Sequence, residues 1–109
     1  MKLLDLEPRF LTRIDDNNFR EHDDIAQSDG VMFLCPKCLS RSERGKVGVH
    51  WCICWGPSVP QTTQPTPGRW GLVGTGYQDL SLIAGSSSVL LQGGCHAHFF
   101  IRDGEIVEA

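Results

Sequence analysis

A chain of 109 residues with a formal net charge of −3 has room for one domain and one modest core, because chains this short bury only a marginal share of their surface. Its five cysteines are an odd number, which excludes a disulfide framework using all of them. No apolar leader precedes them: residues 1–6 are too few, and Glu7, Pro8 and Arg9 follow at once. We therefore expect a cytoplasmic protein in a reducing compartment, where closely spaced cysteines serve as metal ligands. No run approaches the roughly 18 apolar residues of a membrane span, and lysines and arginines scattered outside residues 41–46 argue against nucleic acid as a partner.

In chain order, residues 9–14 and 31–34 read as strands, being apolar or alternating and bounded by polar or glycine signals. Between them Asp23 or Asp24 can cap a short helical turn over residues 25–28 that Gly30 ends. The acidic residues Asp15, Asp16, Glu21, Asp23 and Asp24 are expected as solvated surface charge rather than a face for a basic partner. Residues 47–55 alternate, with Val47, Val49, Trp51, Ile53 and Trp55 on one face and His50, Cys52 and Cys54 on the other; the apolar face is expected in the core. Residues 56–68 (GPSVPQTTQPTPG) hold four prolines, so they form an extended loop, read as a linker within the domain, with a substrate-facing flap as the alternative. After Trp70 come a glycine-rich turn at 74–76, strands at 86–91 and 95–101, and a last strand at 105–107 beyond an Asp103–Gly104 hairpin turn. The fold class is mainly β (small α+β): a compact zinc-stapled antiparallel sheet with a C-terminal β-hairpin, one domain over residues 1–109.

Cys35-Pro36-Lys37-Cys38 is a C-x2-C knuckle, two thiolates converging on one ion from a tight turn, and it needs a second pair. Cys95 and His98 have attractive spacing, but on a regular strand they point to opposite faces unless Cys95 sits in a turn. The alternative set is Cys35, Cys38, Cys54 and Cys95, with Cys52 or His50 able to replace Cys54; His96 and His98 follow Cys95 as further candidates. Four protein ligands make a closed, structural zinc site.

A second constellation lies at the C-terminal hairpin. With a three-residue loop over 92–94, Leu91 opposes Cys95 and Ser88 opposes His98, with Cβ atoms about 5 Å apart, the minimum arrangement for a base-activated serine. A two-residue Gly93–Gly94 turn would instead set Val89 opposite His98.

Four segments carry a family resemblance: VMFLCPKC (31–38), Trp70, SLIAGSSSV (81–89) and GCHAHFFIRDGE (94–105), the last the most specific. Over residues 31–107 the chain resembles the BubE family, serine proteases of bacterial ubiquitination-like (Bub) operons, together with related short phage and bacterial proteins; residues 1–30 match loosely. The resemblance implies a serine–histidine dyad on Ser88 and His98, a bacterial cytosolic setting, and a ubiquitin-like protein or its conjugates as partner, cut at the C-terminal tail. Ser87 stands where the family has proline, the Leu82 to Ser88 spacing is longer, and His96-Ala97 replaces an arginine–serine pair, so Ser86 and Ser87 remain alternative nucleophiles. A base at His98 cannot also be a ligand, which favours the Cys54 and Cys95 site. The alternative function is a non-catalytic zinc-binding interaction module, with a phage-encoded protein as one setting for it.

Overall fold

The computed structural model describes residues 1–83, 89–90 and 95–109. After a 3-10 turn at Leu3–Leu6, strands β1 (Arg9–Asp15), β2 (Asn18–His22), β3 (Gly30–Leu34) and β4 (Trp51–Trp55) make an antiparallel sheet in the order β2-β1-β3-β4. Helix α1 (Pro36–Arg41) leaves the end of β3. Strands β5 (Gly71–Val73) and β6 (Ser81–Ile83) pair with each other, and β7 (Val89–Leu90), β8 (His98–Arg102) and β9 (Glu105–Glu108) form a three-stranded antiparallel sheet. The architecture is mainly β with a single short α-helix among the described residues, as the alternation and turn signals imply. Among those residues no helix is long and apolar enough to cross a membrane.

One core joins the sheets. Phe10, Val31 and Phe33 from the first sheet meet Leu82 of β6 and Val89, Phe99 and Ile101 of the last, and the Phe33 and Phe99 rings stand edge to face at 6.0 Å. Phe10 also stacks on Tyr77 at 4.4 Å, and the Tyr77 hydroxyl accepts the Phe10 N–H and donates to Asp23. Burial and the Asp23 carboxylate push that hydroxyl's pKa up to about 12, so it stays a donor. Full burial of each such aromatic or aliphatic side chain contributes about 1.5 to 3 kcal/mol.

Strand β4 keeps the expected alternation, but of the apolar residues expected in the core only Val49, ahead of the strand, joins the main core, and Trp55 is buried in a separate cluster. Cys52 and Cys54 point into the main core, whereas Trp51 is 45% exposed and Val47, outside the strand, is 69% exposed. The tryptophan face is covered only at one end, where Trp55 packs with Leu11 and Val59. Two small thiols fit between Val31 and Phe33 on the neighbouring strand and the second sheet, a gap that two tryptophans would overfill.

The proline-rich loop is an ordered cover over Trp55. The Trp55 indole N–H donates to the Gln64 carbonyl at 2.8 Å. Arg69 is 9% exposed and spends its guanidinium on the carbonyls of Val59, Pro60, Thr63, Pro65 and Gly68. The loop is tied to the β1–β2 turn by Thr63, which accepts from Arg13 and donates to Asp16 at 2.7 Å each.

The acidic residues are likewise engaged rather than merely solvated. Asp16 takes Arg13, Thr62 and Thr63, Asp23 pairs with Arg9, and Asp24 caps the 3-10 turn Ile25–Gln27 through the Ala26 N–H. Gly30 belongs to β3 and does not end that turn. A Cβ there would stand 2.7 Å from the Cys54 carbonyl and the Trp55 ring. At the C-terminal hairpin, Asp103 and Gly104 both have positive φ and join β8 to β9 with Arg102 opposite Glu105, the two-residue turn the sequence announces.

Two outcomes follow. Arg69→Met, which leaves several loop carbonyls without a donor, should cost about 2 to 4 kcal/mol in urea unfolding. Hydrogen bonds to Arg13 and the two threonines hold the Asp16 carboxyl below its ordinary 3.8. Its contribution is therefore present above that value and shrinks as the pH falls below it, and Asp16→Asn should flatten that part of the acid-unfolding curve.

Candidate metal centre and the His98 groove

Cys35 closes β3 and is the N-cap of α1. Pro36 follows at the first helical position, where its missing N–H costs nothing. Cys38 lies three residues on, one helical turn later, so both sulfurs face the same way. The Cys35 N–H donates to the carbonyl of His50 at 2.9 Å, which brings the residue just before β4 alongside the knuckle. From the other side, Cys95 sits in a turn ahead of β8, and the Lys37 ammonium holds its carbonyl at 2.7 Å.

The ligating atoms of Cys35, Cys38, His50 and Cys95 all lie within 4.8 Å of one another. Cys35 Sγ is 3.5 Å and His50 Nε2 is 3.4 Å from Cys95 Sγ. Sulfurs bound at about 2.3 Å to a tetrahedral ion stand about 3.8 Å apart, so these separations suit a zinc site. The cluster runs from fully buried Cys35, through half-buried Cys38 and Cys95, to exposed His50.

Electrostatics support the same reading. Burial, with the hydrogen bonds and charges of Cys95 and Cys35, pushes the Cys38 thiol up to about 11. Burial acts to raise Cys95 as well, but His50, the Ala97 N–H and the neighbouring thiols outweigh it and bring Cys95 down to about 6. Cys38 and Cys95 are thus pushed in opposite directions, whereas a divalent cation in the cluster would favour the thiolate at both.

Cys54 is not part of this cluster. It is 1% exposed, lies opposite Val31 in the core, and its thiol is pushed up by burial alone. The fourth place belongs to His50, one of the alternatives left open by the sequence. Cys52 is also buried, beside the cluster but outside it, and burial followed by the nearby Cys35 raises its thiol. The spacing signal failed because Cys54 shares a strand face with Cys52, and that face turned out to be the core. His50 precedes the strand and is free to turn toward the knuckle.

The hairpin register also differs from both expectations. Val89 pairs with Phe99 and Leu90 with His98, so Leu90 holds the place that a three-residue loop would give to Ser88 and a two-residue turn to Val89. Residues 95–97 precede β8, which starts at His98. Ser86, Ser87 and Ser88, and the 91–94 segment with Gly93 and Gly94, lie outside the described residues.

His98 is exposed on β8 and stays clear of the metal cluster. It lines a groove of about 710 Å³ between α1 and the β8–β9 hairpin, to which His96 also contributes. Phe100 flanks it on the same face, with Arg102 stacked 4.3 Å above the Phe100 ring. No protein-family model, curated protein or solved structure matches this chain.

The ligand assignment predicts different fates for two substitutions. Cys54→Ala should lower stability by about 1 to 3 kcal/mol through lost packing yet retain a full equivalent of zinc in metal analysis. His50→Ala should weaken zinc retention against a chelator by at least about tenfold, with little change in the core. Equal zinc loss in both variants would return Cys54 to the ligand set.

Proposed function

We propose that this chain is a serine peptidase of the Ser–His type, stapled by one zinc ion on Cys35, Cys38, His50 and Cys95. The proposed substrate is the C-terminal tail of a ubiquitin-like protein or its conjugate in the bacterial cytosol, the activity and setting implied by the likeness to the BubE family. Three thiolates and an imidazole are a donor set that zinc favours. With four protein ligands the ion has no open position, so its part is to hold the fold.

The observation that carries the reading is the separation of two imidazoles. His50 stands among the sulfurs, while His98 stands apart, exposed on a rigid strand at the edge of a groove. A histidine left free of metal and facing a cleft is available for proton transfer. In this reading His98 takes the proton from the Ser88 hydroxyl as its oxygen attacks the scissile carbonyl. It then donates that proton to the leaving amine, and water releases the acyl group by the same route in reverse, general acid and base work worth about 10² to 10⁴ in rate. Ser86 and Ser87 are the alternative nucleophiles.

A second reading, a non-catalytic zinc-binding interaction module, draws support from Leu90, the residue directly opposite His98. A fluorophosphonate probe separates the two. The peptidase should label when zinc-loaded and lose labelling in both Ser88→Ala and His98→Ala. Label that persists in Ser88→Ala but disappears in Ser86→Ala or Ser87→Ala would move the nucleophile. Folded, zinc-loaded protein that never labels would leave the interaction module as the function.

A further inference from the structure

The groove beside His98 has a chemistry of its own. Its volume of about 710 Å³ lies within the range of built ligand sites, roughly 300 to 1,000 Å³. One wall is α1, which presents Lys37 and Arg41; the other side carries the apolar surface of half-buried Ile106 and of exposed Met1, whose carbonyl accepts the Ile106 N–H, together with the Glu108 carboxylate. The ion pairs among the described residues use Arg9, Arg13 and Lys46, so neither Lys37 nor Arg41 meets a carboxylate there. Lys37 is partly occupied by the Cys95 carbonyl, while Arg41 makes no hydrogen bond or ion pair among the described residues.

Two cations without a carboxylate partner along one wall outnumber Glu108, the acidic side chain in the lining, and with the apolar surface opposite they are complementary to a chain segment with carboxylates on one side and apolar side chains on the other. We propose that the groove binds an extended acidic peptide segment of another protein, with Arg41 and Lys37 taking its carboxylates and Ile106 and Met1 its apolar side chains. A small free anion would gain nothing from the apolar side. The inference goes beyond hydrolysis, because binding here stands whether or not the peptide is cut.

The test is fluorescence polarisation of zinc-loaded protein with a fluorescein-labelled peptide of about eight residues, alternating leucine and aspartate, against the same peptide with lysine for aspartate. We expect the acidic peptide alone to bind, more weakly as salt rises from about 0.05 to 0.5 M. Arg41→Glu should weaken it by about tenfold or more and Arg41→Lys by much less, since reversing a charge replaces attraction with repulsion. Arg41 is an unpaired side chain in the last turn of α1, so unchanged zinc content and unfolding midpoint will certify the variants. Failure of both peptides to bind, equal affinity for the two, or indifference to Arg41→Glu overturns the proposal. Charge-selective binding without probe labelling supports the groove and removes only the peptidase.

Discussion

Three stretches of chain that are far apart in sequence converge on one small volume: the β3–α1 junction at Cys35 and Cys38, the approach to β4 at His50, and the turn at Cys95. The arrangement is a constraint because sulfur ligands this close repel one another once charged, so the cluster calls for a compensating cation. A chain of 109 residues has little other means of fixing such distant segments, since its core is necessarily thin. The apolar contacts, chiefly Phe33 against Phe99, bring the two sheets together, and the cluster fixes their alignment at one end.

Much of this was legible in residue patterns, and the failures share a cause. The Asp103–Gly104 hairpin could be read because its turn needs two residues of positive φ, a local requirement that the sequence states directly. The Asp24 cap and the non-regular proline segment are local in the same sense. The face of β4 that would be buried was not local. Trp51, Ile53 and Trp55 are the more apolar set, but burial was decided by the space left between β3 and the second sheet, which admits Cys52 and Cys54. Strand β2 was hidden for a related reason, since its charged side chains are satisfied across strands and turns rather than by burial. Helix α1 was hidden in the C-x2-C motif, where the spacing is the same for a turn and for one helical turn.

The candidate site divides along the same line. Cys35 and Cys38 stand out in the sequence because a C-x2-C knuckle needs further ligands, and Cys95 is a candidate among them. The fourth ligand could not be read the same way: His50 and Cys54 both fit the spacing and share a face of the alternating stretch, and what separates them is that β4 begins at Trp51 and leaves His50 outside it. The hairpin register was not legible either: the sequence allowed two loop lengths, and the pairing of Leu90 with His98 matches neither.

The metal centre and the groove are physically one unit. A six-residue helix does not hold its shape in isolation, because nucleating a helix fixes several residues for very few hydrogen bonds. The position of α1 comes from its attachments: Pro36 buried at its first turn, Leu39 packed on the core, Cys35 and Cys38 in the cluster, and Lys37 on the Cys95 carbonyl. The same α1 supplies one wall of the groove, and the other side begins at His96, directly after Cys95. An ion on these ligands would therefore tie one wall of the groove to the turn that leads into the other. A closed metal site, with no position open to a ligand, would in that way act on the neighbouring cleft through the elements it holds.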